Sequence, residues 1–272
     1  MCWMSSGRSR CPTVAGCSSS TGIIRMLTNT QLDHFHEHGW VAVEDVFEPD
    51  EVNRIAELAT DVSFADLYSL DTPTYTIDVG PDRQMAPRKI EMPSTRHAAF
   101  RAFVFDPRLI ELVQSILGRP PILIRDQLFM KPPRFGSEKP FHQDLAHFHC
   151  EPADKIVAAW VALDDAYVGN GCLRYIDGSH RGALLAHSPV PGASYDLQPG
   201  AETIDRSRER AAPVRRGGVV LHHSKVLHMT GRNETEVWRR AYSCHWVTDE
   251  AVCFDRTFDI MYVPASSEES LS

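Results

Sequence analysis

The chain has 272 residues, enough for one large domain or two small ones, with 28 Lys and Arg against 36 Asp and Glu and a net charge of −8. Hydrophobic residues at 43% and charged residues at 24% are ordinary for a globular protein. The acidic balance argues against a nucleic-acid binder, and no apolar run reaches the roughly 18–20 residues that span a bilayer.

Residues 1–25 carry six Ser, three Arg, three Cys (Cys2, Cys11, Cys17) and no acid; without them the balance moves from −8 to −11. They lack the continuous apolar core of a secretory signal and are only weakly like an organelle transit peptide. We read them as a disordered extension, or as sequence upstream of a start at Met26, ahead of one domain over 26–272 in a cytoplasmic protein. Cys150, Cys172, Cys244 and Cys253 lie in apolar contexts with no C-x-x-C pair, which predicts buried free thiols in a reducing compartment.

A helix is predicted near 30–38, with Thr28, Asn29 or Thr30 as cap and Gly39 as stop, followed by a strand over 40–43. A second helix starts near Pro49, with apolar residues at 52, 55, 58 and 62 in helical period. A third, over 107–117, has Asp106 as cap, Pro107 at its first position and Gly118 just past its end. After Gly118, strand-like runs recur at 121–130, 141–148, 155–163, 172–176, 217–223 and 238–247, separated by turns such as Asp177-Gly178-Ser179. The segment 188–212, rich in Pro, Gly and charge, is predicted to be a long loop. This pattern predicts an α+β fold, with N-terminal helices supporting an antiparallel β-sandwich or barrel.

Thirteen histidines are the unusual figure. His142 and Asp144, in Phe141-His142-Gln143-Asp144-Leu145, are two apart, so on a strand they share a face. His228 follows a Gly-Gly-initiated strand, and Arg239 comes eleven residues later. Two His and one carboxylate on one face of a metal leave three positions open, the arrangement of non-haem Fe(II) oxygenases. Two of these suit a 2-oxo acid and the third O2, while a buried Arg pairs bidentately with a distal carboxylate.

These segments resemble the phytanoyl-CoA dioxygenase family of Fe(II)/2-oxoglutarate oxygenases from about Leu32 to about Val247. The resemblance rests on Lys131-Pro132-Pro133, Pro140 to Leu145, Ile156 to Trp160, Asn170 to Leu173, Gly178 to Gly182, and His228 to Arg239. It implies a double-stranded β-helix (a cupin-like jelly roll), with His142, Asp144 and His228 as catalytic iron ligands. It also implies Arg239 on the 2-oxoglutarate C5 carboxylate with help from Thr230, Trp160 beside the cosubstrate, and Gln127 and Lys89 in contact with it. Fe(II), 2-oxoglutarate and O2 would be cofactor and cosubstrates. The substrate would be a small molecule, either a fatty acyl-CoA or a specialised metabolite. Met229 stands where the family has Gly and is expected to reshape the pocket mouth; Asp177 stands in place of a Pro.

His222 and His223 are rivals for the distal ligand, but the spacing to Arg239 favours His228. Arg240 replaces Arg239 if the strand register slips by one. His147 and His149 share a strand face near His142 and could bind metal, but the reading favours lining the substrate side or the surface. His180 reads as a turn residue, and Arg125 and Lys131 either reach an anionic substrate or are solvated charges. Asp144 occupies the position that related halogenases leave to Ala or Gly, so hydroxylation is favoured over halogenation. A zinc hydrolase on the same sandwich, which would not need Arg239, and a non-catalytic ligand-binding module are the alternatives. The sequence does not give the oligomeric state.

Overall fold

A computed structural model describes residues 26–67, 75–148, 150–191 and 193–253. The expectations for residues 1–25 and for His149 lie outside them.

Thr28 opens α1 (Asn29–His38) with a capping box: its hydroxyl accepts from the Gln31 N–H, and the Gln31 side chain accepts from the Thr28 N–H. Gly39 ends the helix at φ 85°, where an added Cβ would strike the His180 ring. β1 (Trp40–Val43), α2 (Pro49–Leu67), β2 (Tyr75–Val79), β3 (Met85–Glu91) and α3 (Ala98–Val104) follow. α4 (Pro107–Leu117) has the predicted bounds, with the Asp106 carboxylate accepting from the Arg108 N–H and Gly118 left-handed at φ 71°. Next come β4 (Ile122–Lys131), β5 (Lys139–His142), α5 (Leu145–Phe148), β6 (Cys150–Glu151) and β7 (Ile156–Ala162). The remaining elements are β8 (Leu173–Ile176), β9 (His187–Val190), β10 (Ala193–Pro199), β11 (Glu209–Ala212), β12 (Val219–His223), β13 (His228–Thr230), β14 (Arg239–Val247) and β15 (Val252–Cys253).

Two antiparallel sheets form the predicted jelly roll. The larger runs β1-β12-β7-β14-β4-β3-β2 and the smaller β11-β8-β13-β5. Strand parity sorts the larger sheet's residues. Tyr242, Cys244 and Trp246 of β14 and Val157, Ala159 and Val161 of β7 join one core with Phe100, Phe103, Leu109 and Leu112 of the helices. Arg239, Ser243 and His245 of β14 and Trp160 of β7 face a cavity toward the smaller sheet. Arg240, on the helical side, donates to both Asp164 oxygens at 2.7 and 2.8 Å and to Ala56 O at 3.1 Å, which ties α2 to the sheet. The register therefore excludes Arg240 from the cavity.

Three expectations are corrected, and two features are new. The predicted strand over 141–148 ends at His142, because Asp144 begins a turn that α5 continues, with the His147 N–H donating to Asp144 O. The predicted loop over 188–212 contains the β9–β10 hairpin and β11, which pairs with β8; neighbouring strands override its Pro- and Gly-rich composition. The β2–β3 hairpin and α3 were not anticipated. The four thiols are not all free: β6 and β15 bring Cys150 and Cys253 together as a disulfide across 103 residues, while Cys172 and Cys244 are free and buried. Among the described residues no helix is long and apolar enough to cross a membrane.

Candidate active site

The smaller sheet carries two of the site's histidines side by side, since His228 of β13 pairs directly with His142 of β5. Each imidazole is fixed by its own backbone. His142 Nδ1–H donates to Pro140 O at 2.9 Å and His228 Nδ1–H to Val226 O at 3.0 Å, which leaves both Nε2 lone pairs free. Asp144, at the start of the turn, presents Oδ1 to both: 3.5 Å from His142 Nε2 and 3.7 Å from His228 Nε2. The three ligand atoms lie within 4.8 Å of one another.

Burial lowers the pKa of His142, and that of His228 more strongly, so both imidazoles are neutral. Burial would push the Asp144 carboxyl up, but the imidazoles that donate to it, His245 and His222, outweigh burial and hold it well below the usual range. Two neutral imidazoles and a carboxylate are the protonation states a divalent metal needs, and two nitrogens with one oxygen suit iron.

The other carboxylate oxygen is held from the larger sheet. His222 Nε2–H donates to Asp144 Oδ2 at 3.0 Å and His245 Nε2–H at 3.1 Å. His222 is therefore a partner of the carboxylate and not the distal ligand. His223 points away and packs on the His180 ring with centroids 5.2 Å apart. His180 itself donates from Nε2 to His36 O at 3.2 Å, a structural turn role. His147 lies on α5, not on a strand, yet lines the cavity with its ring 5.8 Å from that of His142; burial lowers its pKa to about 3.

Arg239 lies in the same cavity and is 1% exposed. Its Nε and Nη1 have no hydrogen-bond partner among the described residues, and burial lowers its pKa to about 10. Thr230 lines the cavity, and the Trp160 ring lies 5.5 Å from the guanidinium. Lys131, directly opposite Arg239 on β4, is not a solvated charge: it is 4% exposed, donates to Ser137 O, and burial, with Arg239 next, lowers its pKa far. A buried guanidinium with free N–H groups is a site for an anion.

Lys89 and Gln127 also line the cavity, but both are engaged by Glu91, at 2.5 Å from Lys89 Nζ and 2.7 Å from Gln127 Nε2. Arg125 reaches Glu91 at 2.8 Å as well. Lys139 and Arg88 share Asp196 of β10 at 2.7 and 2.9 Å, which pins the β9–β10 hairpin beside the cavity. Met229 does not narrow the mouth; between His228 and Thr230 it points to the opposite face and packs with Phe141 and Leu227. The cavity measures about 270 Å³.

Sequence reasoning missed His245, Tyr175 and Glu91. His245 was accessible by parity, six residues from Arg239 on one strand. Glu91 was hidden because its hairpin was not predicted.

The sequence profile described as Phytanoyl-CoA dioxygenase (PhyH) matches residues 35–241, more than half of the chain. The chain belongs to the phytanoyl-CoA dioxygenase family. Fe(II), 2-oxoglutarate and O2 are the cofactor and cosubstrates of this family, and the donor set and the buried arginine fit them. Phytanoyl-CoA dioxygenase domain-containing protein 1 of Mus musculus is 34% identical over 153 residues, which are 54% of this chain and 52% of that protein. The match thus spans about half the length of that relative. A probable phytanoyl-CoA dioxygenase of Caenorhabditis elegans is 28% identical over 240 residues, 83% of this chain and 77% of that one. Among solved structures, EctD from S. alaskensis with 2-oxoglutarate and 5-hydroxyectoine has a TM-score of 0.67 at 21% identity, over 84% of this chain and 81% of that one. At that identity the likeness speaks for the fold.

Proposed function

We propose that this member of the family is an Fe(II)- and 2-oxoglutarate-dependent hydroxylase of a small molecule. In this reading His142 Nε2, His228 Nε2 and Asp144 Oδ1 hold the iron. Arg239 takes the distal carboxylate of 2-oxoglutarate through its planar fork, Thr230 adds a hydroxyl, and Trp160 packs alongside. Bound iron with 2-oxoglutarate and O2 supplies the oxidant, with release of succinate and CO2. The chain's own share is to orient the two carboxylate-binding ends and to keep water out of a site whose ligands are all under one-tenth exposed. Lys89 and Gln127, tied up by Glu91, shape the wall between cosubstrate and substrate.

The observation that carries this reading is the buried Arg239, whose Nε and Nη1 have no hydrogen-bond partner among the described residues, in the same cavity as the converging triad. A zinc hydrolase would give that arginine no task. Asp144 fills the place a halide would need, which favours hydroxylation. The substrate is a fatty acyl-CoA, as the relatives' names suggest, or a specialised metabolite. Screening both classes for succinate release with Fe(II) and 2-oxoglutarate tests the proposal. Substrate-dependent succinate that vanishes in His142→Ala supports it, and zinc-dependent hydrolysis without 2-oxoglutarate refutes it.

A further inference from the structure

A hydrogen-bond chain crosses the sandwich from the smaller sheet to the carboxylate. Tyr175 of β8, beside His228 in the smaller sheet, places its hydroxyl 3.0 Å from His222 Nδ1. His222 of β12, in the larger sheet, places Nε2 3.0 Å from Asp144 Oδ2. A carboxylate only accepts, so His222 Nε2 carries the proton; in the neutral imidazole Nδ1 then accepts from the Tyr175 hydroxyl. Burial holds Tyr175 firmly in its phenol form. The Tyr175 ring is itself fixed, stacked on Trp40 at 4.9 Å and 9°, while Trp40 Nε1–H donates to Asp177 at 2.9 Å. All members except Trp40 and Asp177 are buried.

We propose that Tyr175 and His222 are positioning residues for the metal carboxylate, an inference that rests on the reading of His142, Asp144 and His228 as iron ligands. Two imidazole N–H groups, from His222 and His245, occupy the lone pairs of Oδ2, so only Oδ1 is free to face the two ligand nitrogens. An aspartate free to turn could offer both oxygens and fill one of the three positions that 2-oxoglutarate and O2 require. The same donors draw charge from the carboxylate and weaken it as an anionic ligand, which favours the ferrous over the ferric ion. Tyr175 contributes by fixing the tautomer: without its hydroxyl, His222 can place its proton on Nδ1 and lose the bond to Asp144.

The test is made without turnover, on the full chain loaded anaerobically with Fe(II). His222→Phe keeps bulk and removes the donor, His222→Gln restores an N–H, and Tyr175→Phe keeps the stacked ring and removes only the hydroxyl. The affinity of the iron-loaded protein for 2-oxoglutarate, by anaerobic titration, should fall about 10- to 100-fold in His222→Phe, recover in His222→Gln, and fall less in Tyr175→Phe. The Fe(III)/Fe(II) midpoint potential should drop in His222→Phe and, by a smaller step, in Tyr175→Phe. Parental affinity and potential in Tyr175→Phe and in folded His222→Phe would overturn the positioning role. His142→Ala separates the two levels. If it loses iron while the His222 and Tyr175 variants behave as the parent, only the positioning fails; if it retains iron, the ligand reading itself fails.

Discussion

Replacing Arg239 with Met removes a buried charge whose Nε and Nη1, without cosubstrate, have no hydrogen-bond partner among the described residues. Two consequences of opposite sign follow. The protein without cosubstrate should be no less stable, because an apolar side chain of similar size replaces an uncompensated buried charge. Binding of 2-oxoglutarate should collapse, since its distal carboxylate would enter the cavity without its fork. Loss of one partner of a buried charge pair costs about 2–5 kcal/mol, and each 1.4 kcal/mol is tenfold, so KM for 2-oxoglutarate should rise roughly 30-fold to several thousand-fold. The companion assay is thermal. With 2-oxoglutarate near 100 times its Kd, the iron-loaded parent gains about 2.7 kcal/mol, or roughly 5–10 °C in Tm for a chain of this size. The variant at the same concentration should keep at most about 0.9 kcal/mol, a third of the parental shift, at the 30-fold end, and almost none at the thousand-fold end. A variant with parental KM and a parental thermal shift would refute the assignment of Arg239 as the carboxylate anchor.

Other outcomes follow from the same structure. Asp144→Ala and His228→Ala should each abolish substrate-dependent succinate, read by coupled assay; parental activity in either would remove that residue from the ligand set. Leu112→Ala, in the core between α4 and the larger sheet and 1% exposed, should lose about 2–5 kcal/mol, read from urea midpoints. A loss below about 1 kcal/mol would mean that this core is looser than its packing indicates. Asp196 gives a pH signature. Burial would raise its pKa, but Lys139 and Arg88 outweigh burial and hold it below the ordinary carboxyl value. A depressed carboxyl contributes stability above its unfolded pKa and loses it as pH falls through the folded value. The stability gap between the parent and Asp196→Asn should therefore be full at neutral pH and close below about pH 4; a gap that does not change with pH would contradict the ion pairs.

The sequence made α1, α4 and the alternation along β14 legible, because caps, glycine stops and strand parity are local codes. His142, Asp144, His228 and Arg239 were recognisable because short strands and one turn hold them at fixed spacings. The residues that surround them were less visible. His222 looked like a competing ligand, and only the pairing of β12 between β1 and β7 shows its imidazole turned to Asp144 Oδ2. Lys131 reads in the sequence as either an anion contact or a solvated charge, because the hydropathy of β4 does not show that it lines a cavity beside Arg239. The disulfide was beyond sequence reasoning for a related reason: Cys150 and Cys253 meet only when β15 returns to β6.

The most direct test is the visible absorption of the anaerobic protein with Fe(II) and 2-oxoglutarate. Iron held by His142, Asp144 and His228 with the 2-oxo acid chelated predicts a charge-transfer band at one equivalent of iron, lost in His142→Ala. In Arg239→Met the band should form only at far higher 2-oxoglutarate. No band in the iron-loaded parent, or an undiminished band in His142→Ala, would contradict iron and 2-oxoglutarate binding at this triad.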